Sequence, residues 1–354
     1  MGRGTQTRGP PAAIAPDVLV YIVRRLIAAV LLLFVVTAIT FLIFFGVPKL
    51  GGATPDDLAS RYVGKTASEQ QIHTTAEKLG FTDPLYEQYG RFIKGLFVGA
   101  DYDTGVNVDH CPAPCFGYSF ITRNPVLPDL LDRLPVTLSL ASGAAVLWLL
   151  GGVATGVVSA LKRGSFFDRA TMSVALAGVS LPIFFTGLLS LTIFSYTLGW
   201  TPPGGTNPVE QNNPWDWAAA LILPWITLAL LYAAQYARLT RAGMLETMEE
   251  DFIRTARAKG LKERTVVVKH GLRSALTPIL TIFGLDLGLL LGGAILTETT
   301  YSLPGIGQYA VLAITNQDLP KVLGVTLLGA IFIILANLVV DLLYAVVDPR
   351  VRNS

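Results

Sequence analysis

The sequence has little charge, little cysteine and little histidine. Of its 354 residues, 15% are Asp, Glu, Lys or Arg and 52% are hydrophobic, with a mean hydropathy of +0.53. A soluble globular domain carries about 25% charged residues, so this balance excludes a pair of soluble domains and leaves a bundle of membrane helices. No G-x-x-x-x-G-K-[ST] segment occurs, which excludes ATP binding through a phosphate loop. No H-E-x-x-H pair occurs, and the three histidines, His73, His110 and His270, lie far apart. With no catalytic constellation or metal set visible, the chain reads as a non-enzyme. The net charge of +2 says little, and no nucleic-acid partner is expected.

What is present is a series of uncharged runs. Leu26 to Val47 is 22 residues long, enough to cross a hydrocarbon core of roughly 30 Å. A signal peptide has an apolar region of only about 7–15 residues, so this run is an uncleaved first span. Five more follow: Leu134–Leu161, Ala170–Trp200 around Pro182, Trp217–Ala237 around Pro224, Ser274–Thr297 interrupted by Asp286, and Val322–Val340, fading toward Val347. Prolines inside spans are tolerable where neighbouring helices satisfy the freed backbone groups. The expected fold is an all-α membrane protein of six spans. It has a tail at 1–25, the first span at 26–47, a large loop at 48–133, a five-helix core at 134–347 with a polar loop at 238–273, and a tail at 348–354.

Lys and Arg set the orientation. Arg3, Arg8, Arg24 and Arg25, the loop at Lys162, Arg163 and Arg169, nine residues between Arg238 and Arg273, and Arg350 and Arg352 share one side. They are 18 of the 27 basic residues. The short loops Thr201–Asp216 and Glu298–Pro320 hold none. The rich side is expected to be cytoplasmic, with both termini there, and the loop at 48–133 extracytoplasmic.

The polar, basic stretch from Glu249 to Pro278 stands between two apolar runs and breaks at Gly260. Its first part puts Phe252, Ile253 and Ala256 on one helical face. Thr247 and Glu250 have capping-box spacing. Acidic Glu249, Glu250 and Asp251 precede basic Arg254, Arg257 and Lys259, which suits the helix dipole. Gly260 falls where a helix end needs a left-handed residue, and a second helical pattern runs from Lys262 to Leu276. The stretch is either a solvated basic loop or a docking element gripped by a soluble partner.

These residues carry a resemblance. RTARAKGL (Arg254–Leu261) followed by HGLRSALTP (His270–Pro278) resembles the coupling loop of ABC importer permeases, more narrowly the dipeptide/oligopeptide class. Arg254 and Thr255 replace the Glu and first Ala of the general family motif, while Ala256 and Gly260 match it. DPLYEQY (Asp83–Tyr89), NPVLPDLLDRLPVTL (Asn124–Leu138) and LTETTYSLPGIGQYA (Leu296–Ala310) resemble the same class. The resemblance implies a type I importer architecture in the inner membrane of a prokaryote and a peptide as substrate. It also implies a second, similar permease, two ATPase subunits that hold ATP and Mg, and an extracytoplasmic substrate-binding protein. This chain itself would need no cofactor. Phe252, Ile253, Arg254, Thr255, Ala256, Gly260 and Leu261 would be the ATPase-coupling residues. Nickel, sugar or another small solute is the alternative cargo, and an ion-coupled secondary transporter is the rival from another class.

The long loop is expected to hold helices at Thr66–Leu79 and from Asp83 to about Phe97. Asp101–Phe116 is an insertion relative to the family and contains His110, Cys111 and Cys115. Three readings stand: a local disulfide, stabilising by only ~2 kcal/mol because the ring is small, a soft metal site with His110, or free thiols. Glu298 is either an interfacial acid or a substrate-pathway residue. Asp286 is the one carboxylate in the middle of a span, where a charge costs at least ~2.5–3.5 kcal/mol and must face protein or water. It is either a packing group bonded to a neighbouring helix or a point on the substrate path that meets a peptide ammonium.

Overall fold

The computed structural model describes residues 16–347 apart from 61–62, 64–66, 104–107 and 212. Expectations for the outermost tails, 1–15 and 348–354, lie outside the described residues. The first uncharged run forms α1 (Pro16–Phe41), a π turn at Leu42–Gly46 and α2 (Val47–Leu50). Most of its large side chains face outward to lipid, from Leu26 to Val47.

The loop that follows folds as a small subdomain on the C-terminal end of this helix. It contains α3 (Pro55–Ala59), α4 (Glu69–Lys78) and α5 (Leu85–Val98). Ser68 and Gln71 cap the start of α4 reciprocally. Phe41 and Phe45 of the first span pack with Leu58, Ala76, Phe81 and Leu323, and Tyr89 Oη lies 3.0 Å from Thr37 Oγ1. A hairpin of β1 (Ala100–Asp103) and β2 (Val108–Cys111) pairs Ala100 with Cys111 and Asp103 with Val108. Cys111 and Cys115 are both buried and joined as a disulfide, with their Cα atoms 5.6 Å apart. That removes both thiolates from the metal reading, and His110 Nδ1 instead meets Asp101 at 2.6 Å. Tyr118, on the short pair β3 (Tyr118–Ser119) and β4 (Asn124–Pro125), donates to Asp109 at 2.5 Å. Burial, and then the Asp109 carboxylate, push the Tyr118 hydroxyl up to about 12.

The core begins earlier than its uncharged run. α6 (Val126–Leu161) starts eight residues before Leu134 and is a single helix of 36 residues through Pro135. The expected span at Ala170–Trp200 is not one helix. α7 (Phe166–Ser180) and α8 (Ile183–Ser190), which continues as a π segment to Thr197, are bent by 100°. The cause is local. Pro182 forces Leu181 into extended backbone, at φ −90° and ψ 131°, whereas Pro224 and Pro135 sit in helices that continue unbroken. Among the described residues five helices are long and apolar enough to cross a membrane, and the bent pair, counted as one broken span, gives six.

α9 (Pro214–Glu249) overruns its uncharged stretch by 12 residues, so Arg238 and Arg241 belong to a helix and not to the loop expected from 238. It starts on an Asn213 cap with Pro214 in its first turn. α10 (Asp251–Ala258) follows, then α11 (Glu263–Thr265), a π segment at Val266–Leu272 and α12 (Arg273–Leu291). The helix stops at Gly292–Gly293. α13 (Ile295–Thr300) and α14 (Ile306–Thr315) fold back before the last span, α15 (Leu319–Val347).

α6 and α9 are the central pair. Gly152 and Gly156 let them touch: a Cβ on Gly152 would lie 2.7 Å from Tyr236 Cβ, and one on Gly156 would lie 2.6 Å from Ala237 O. Trp148, Leu140 and Ala144 of α6 and Leu221, Leu228 and Tyr236 of α9 form the main core.

The disulfide predicts a mass two hydrogens lower for the unreduced peptide containing Cys111 and Cys115. Replacing both by Ser is expected to remove about 2 kcal/mol locally, seen as faster proteolysis between 99 and 117. Membrane insertion should not change. Free thiols in an oxidised preparation would contradict this reading.

Candidate functional site

The stretch Glu249–Pro278 forms a short helix, a tight turn and a second helical segment. Glu250, in extended backbone, precedes α10 and makes no side-chain cap. The expected capping box is absent because Thr247 lies buried inside α9. At the other end Gly260 has φ +73°, its N–H bonds Arg257 O at 2.9 Å, and Leu261 N–H reaches Ala256 O at 3.4 Å. This is a Schellman cap. No atom lies within 4 Å of where a Gly260 Cβ would sit, so only backbone conformation demands glycine there. Arg257 then clamps Glu263 across the turn, at 2.8 and 3.2 Å, tying α10 to α11.

The three apolar residues of α10 do not act together. Ile253 is 0% and Ala256 7% exposed, packed on Val266 and Met248. Phe252 is 46% exposed. Ile253 and Ala256 therefore fix the helix to its own chain, together with the Arg257–Glu263 clamp. Phe252, Arg254, Thr255 and Leu261 form the outward face.

A second cluster holds α9 above this motif. Asp168, buried on α7, receives Arg241 Nε at 2.7 Å and an Arg241 terminal nitrogen at 2.9 Å. It also accepts from Gly164 N–H at 2.9 Å and from the Ser159 hydroxyl. Sequence reasoning missed it. Arg241 looked like one more loop cation, since only the continued helix places it against α7.

Glu298 is fully buried and is not the interfacial acid expected at the end of an apolar run. Thr137 Oγ1 donates to its carboxylate at 2.9 Å, and Gln308 N–H does so at 3.0 Å. Thr137 Oγ1 in turn accepts from Ile306 N–H at 2.9 Å. Two otherwise unpaired N–H groups at the start of α14 are thus satisfied. Gly305 makes room for this, since a Cβ there would sit 2.3 Å from Glu298 Oε2. Thr137 belongs to a stripe of α6 residues four apart. Asp129 accepts from Tyr309 Oη at 3.1 Å, and Arg133 Cζ lies 4.7 Å from the Tyr309 ring centroid. Lys321 Nζ approaches the same ring at 5.1 Å and Asp318 at 3.5 Å, and Asp318 accepts from Ser119 Oγ of the subdomain at 2.5 Å. The spacing Asp129-Arg133-Thr137 was readable, but what it meets was not.

Asp286, on α12, is half-buried, and its Oδ2 accepts from Tyr236 Oη at 2.8 Å. Asn337 of α15 is also half-buried. Among the described residues, no group of three His, Cys, Asp or Glu side chains could hold a metal ion.

Glu298→Ala is expected to lower the stability of the purified chain by about 3 kcal/mol, since buried bonds to a charged group are lost. Gly305→Ala should destabilise it through the clash with the same carboxylate. Thermal unfolding in detergent measures both, and melting unchanged by either substitution would contradict the buried cap.

Comparison with known proteins agrees with this architecture. The sequence profile of a family described as "Binding-protein-dependent transport system inner membrane component" matches residues 152–353, and its N-terminal companion matches 18–141. The chain is 40% identical over 335 residues to the di/tripeptide transport system permease protein DppB of Pseudomonas aeruginosa, covering 88% of this chain and 95% of that one. It is 37% identical to the dipeptide transport system permease protein DppB of Alkalihalophilus pseudofirmus, covering 94% and 99%. Among solved structures, an inward-facing MetNI methionine ABC transporter aligns at a TM-score of 0.47 and 19% identity, over 63% of this chain and 97% of that one. The chain belongs to the family of binding-protein-dependent transport system inner membrane components.

Proposed function

We propose that this chain is one of two permease subunits of an ATP-driven peptide importer and forms half of the translocation pathway. The support for peptide as cargo is the similarity to permeases named for di- and tripeptides along nearly the whole chain. The observation that carries the coupling role is α10, a helix pinned from behind by Ile253 and Ala256 with Phe252, Arg254, Thr255 and Leu261 left outward. That is the form of a helix presented to a groove. Two ATPase subunits, carrying ATP and Mg, grip this face. A second, homologous permease completes the pathway. A substrate-binding protein delivers peptide to the subdomain at 48–133. Asp286 lines the path, and both termini lie in the cytoplasm.

In the cycle, closure of the ATPases pushes α10. Arg257–Glu263 transmits the push to α12, and the packing of Ile253 and Met248 transmits it to α9. Asp168–Arg241 passes it on to α6 and α7.

Gly260→Val tests this, because a β-branched residue is strongly disfavoured at positive φ. The expected result in reconstituted vesicles is normal insertion with substrate uptake lost out of proportion to ATP hydrolysis. Phe252→Ala should weaken co-purification of the ATPase. Unchanged uptake by Gly260→Val, or uptake with no ATPase present, overturns the coupling role.

Orientation is tested by single cysteines on a background lacking Cys111 and Cys115. An impermeant reagent added outside should label Gln211→Cys and Asn316→Cys and spare Arg163→Cys and Lys262→Cys. The reverse pattern overturns the assignment.

A further inference from the structure

Asp286 is a carboxylate without a countercharge. The runs that pack around it, 134–161, 217–237, 274–297 and 322–340, contain no Lys or Arg, and its one hydrogen bond among the described residues is from Tyr236 to Oδ2. Among those residues Oδ1 accepts no hydrogen bond. A charge in the middle of a span is expensive unless something compensates it.

The surroundings favour a cation. Tyr236 and Tyr232 lie one turn apart on one face of α9, and Phe283 is three residues from Asp286 on α12. Trp148 of α6 stacks on Tyr232 with ring centroids 4.7 Å apart and lies 6.0 Å from Phe283. Trp148 is fully buried and backs these rings. Tyr232 and Phe283 are only half-buried, so their rings remain partly open beside the carboxylate. A half-buried carboxylate next to aromatic rings is a site for an ammonium group.

We infer that Asp286, with Tyr236 orienting it and Tyr232 and Phe283 at its rim, receives the protonated amino terminus of the peptide in transit. This rests on the peptide-importer reading. The ammonium supplies the missing countercharge, and its departure leaves a carboxylate that Tyr236 alone must hold. A peptide therefore binds here transiently, as a pathway requires.

The test uses the full assembly in vesicles, with a radiolabelled tripeptide and saturating binding protein. The quantity read is the ratio of uptake by the parent to uptake by Asp286→Asn, which cancels any effect of the amino group on the binding protein. The expected ratio is at least about tenfold near pH 6.5. It falls toward one by about pH 9, because the α-amino group loses its proton near pH 8. A ratio of one at every pH overturns the inference. So does a large ratio independent of pH, which would set Asp286 against a fixed charge such as one on the second permease. If Asp286→Asn fails to assemble, Tyr232→Leu carries the test. About threefold lower uptake below pH 7 and none of that loss near pH 9 is expected, and equal loss at both overturns the inference. Absence of peptide uptake by the parent itself would instead sink the peptide reading, and this site with it.

Discussion

In hydrocarbon, backbone N–H and C=O groups must be satisfied by the protein itself, and this constraint decides where the chain can depart from a helix. The irregular segment between α12 and α15 is possible because side chains stand in for the missing helical bonds. The Glu298 carboxylate and the Thr137 hydroxyl accept the first N–H groups of α14. Gly305 lets that carboxylate approach. Without this buried cap, α13 and α14 would expose unpaired backbone next to α6.

The same residues join one face of the bundle into one body. Asp129, Arg133 and Thr137 hold α14 to α6, while Asp318 holds the start of α15 to Ser119 of the subdomain. The subdomain also packs on the first span through Phe41 and Phe45. On the other face the long helix α9 is the connecting beam, held to α7 by Arg241 and to α6 by close packing at Gly152 and Gly156. Membership in a binding-protein-dependent transport family displaces the ion-coupled transporter as an account of Asp286.

Sequence alone determined the class of the molecule. Long uncharged runs demand a membrane, and a polar stretch between two of them, stopped by Gly260, marks a short helix at its surface. The Gly260 cap was legible because Schellman geometry is local, set by one residue and its near neighbours. Cys111 and Cys115, four residues apart, were legible as a pair for the same reason. Tertiary structure decided what depends on distant partners. The end of a charge-free run marks where hydrocarbon ends and not where a helix ends, so α9 carries Arg241 to Asp168, 73 residues away in sequence. Ile253 and Ala256 share a face with Phe252 on a helical wheel, yet only the position of Val266 turns two of them inward. Glu298 follows an apolar run and looks interfacial, and burial came from Thr137, 161 residues away. Periodicity assigns a side chain to a face, but what that face meets is fixed by long-range packing, which no local pattern encodes.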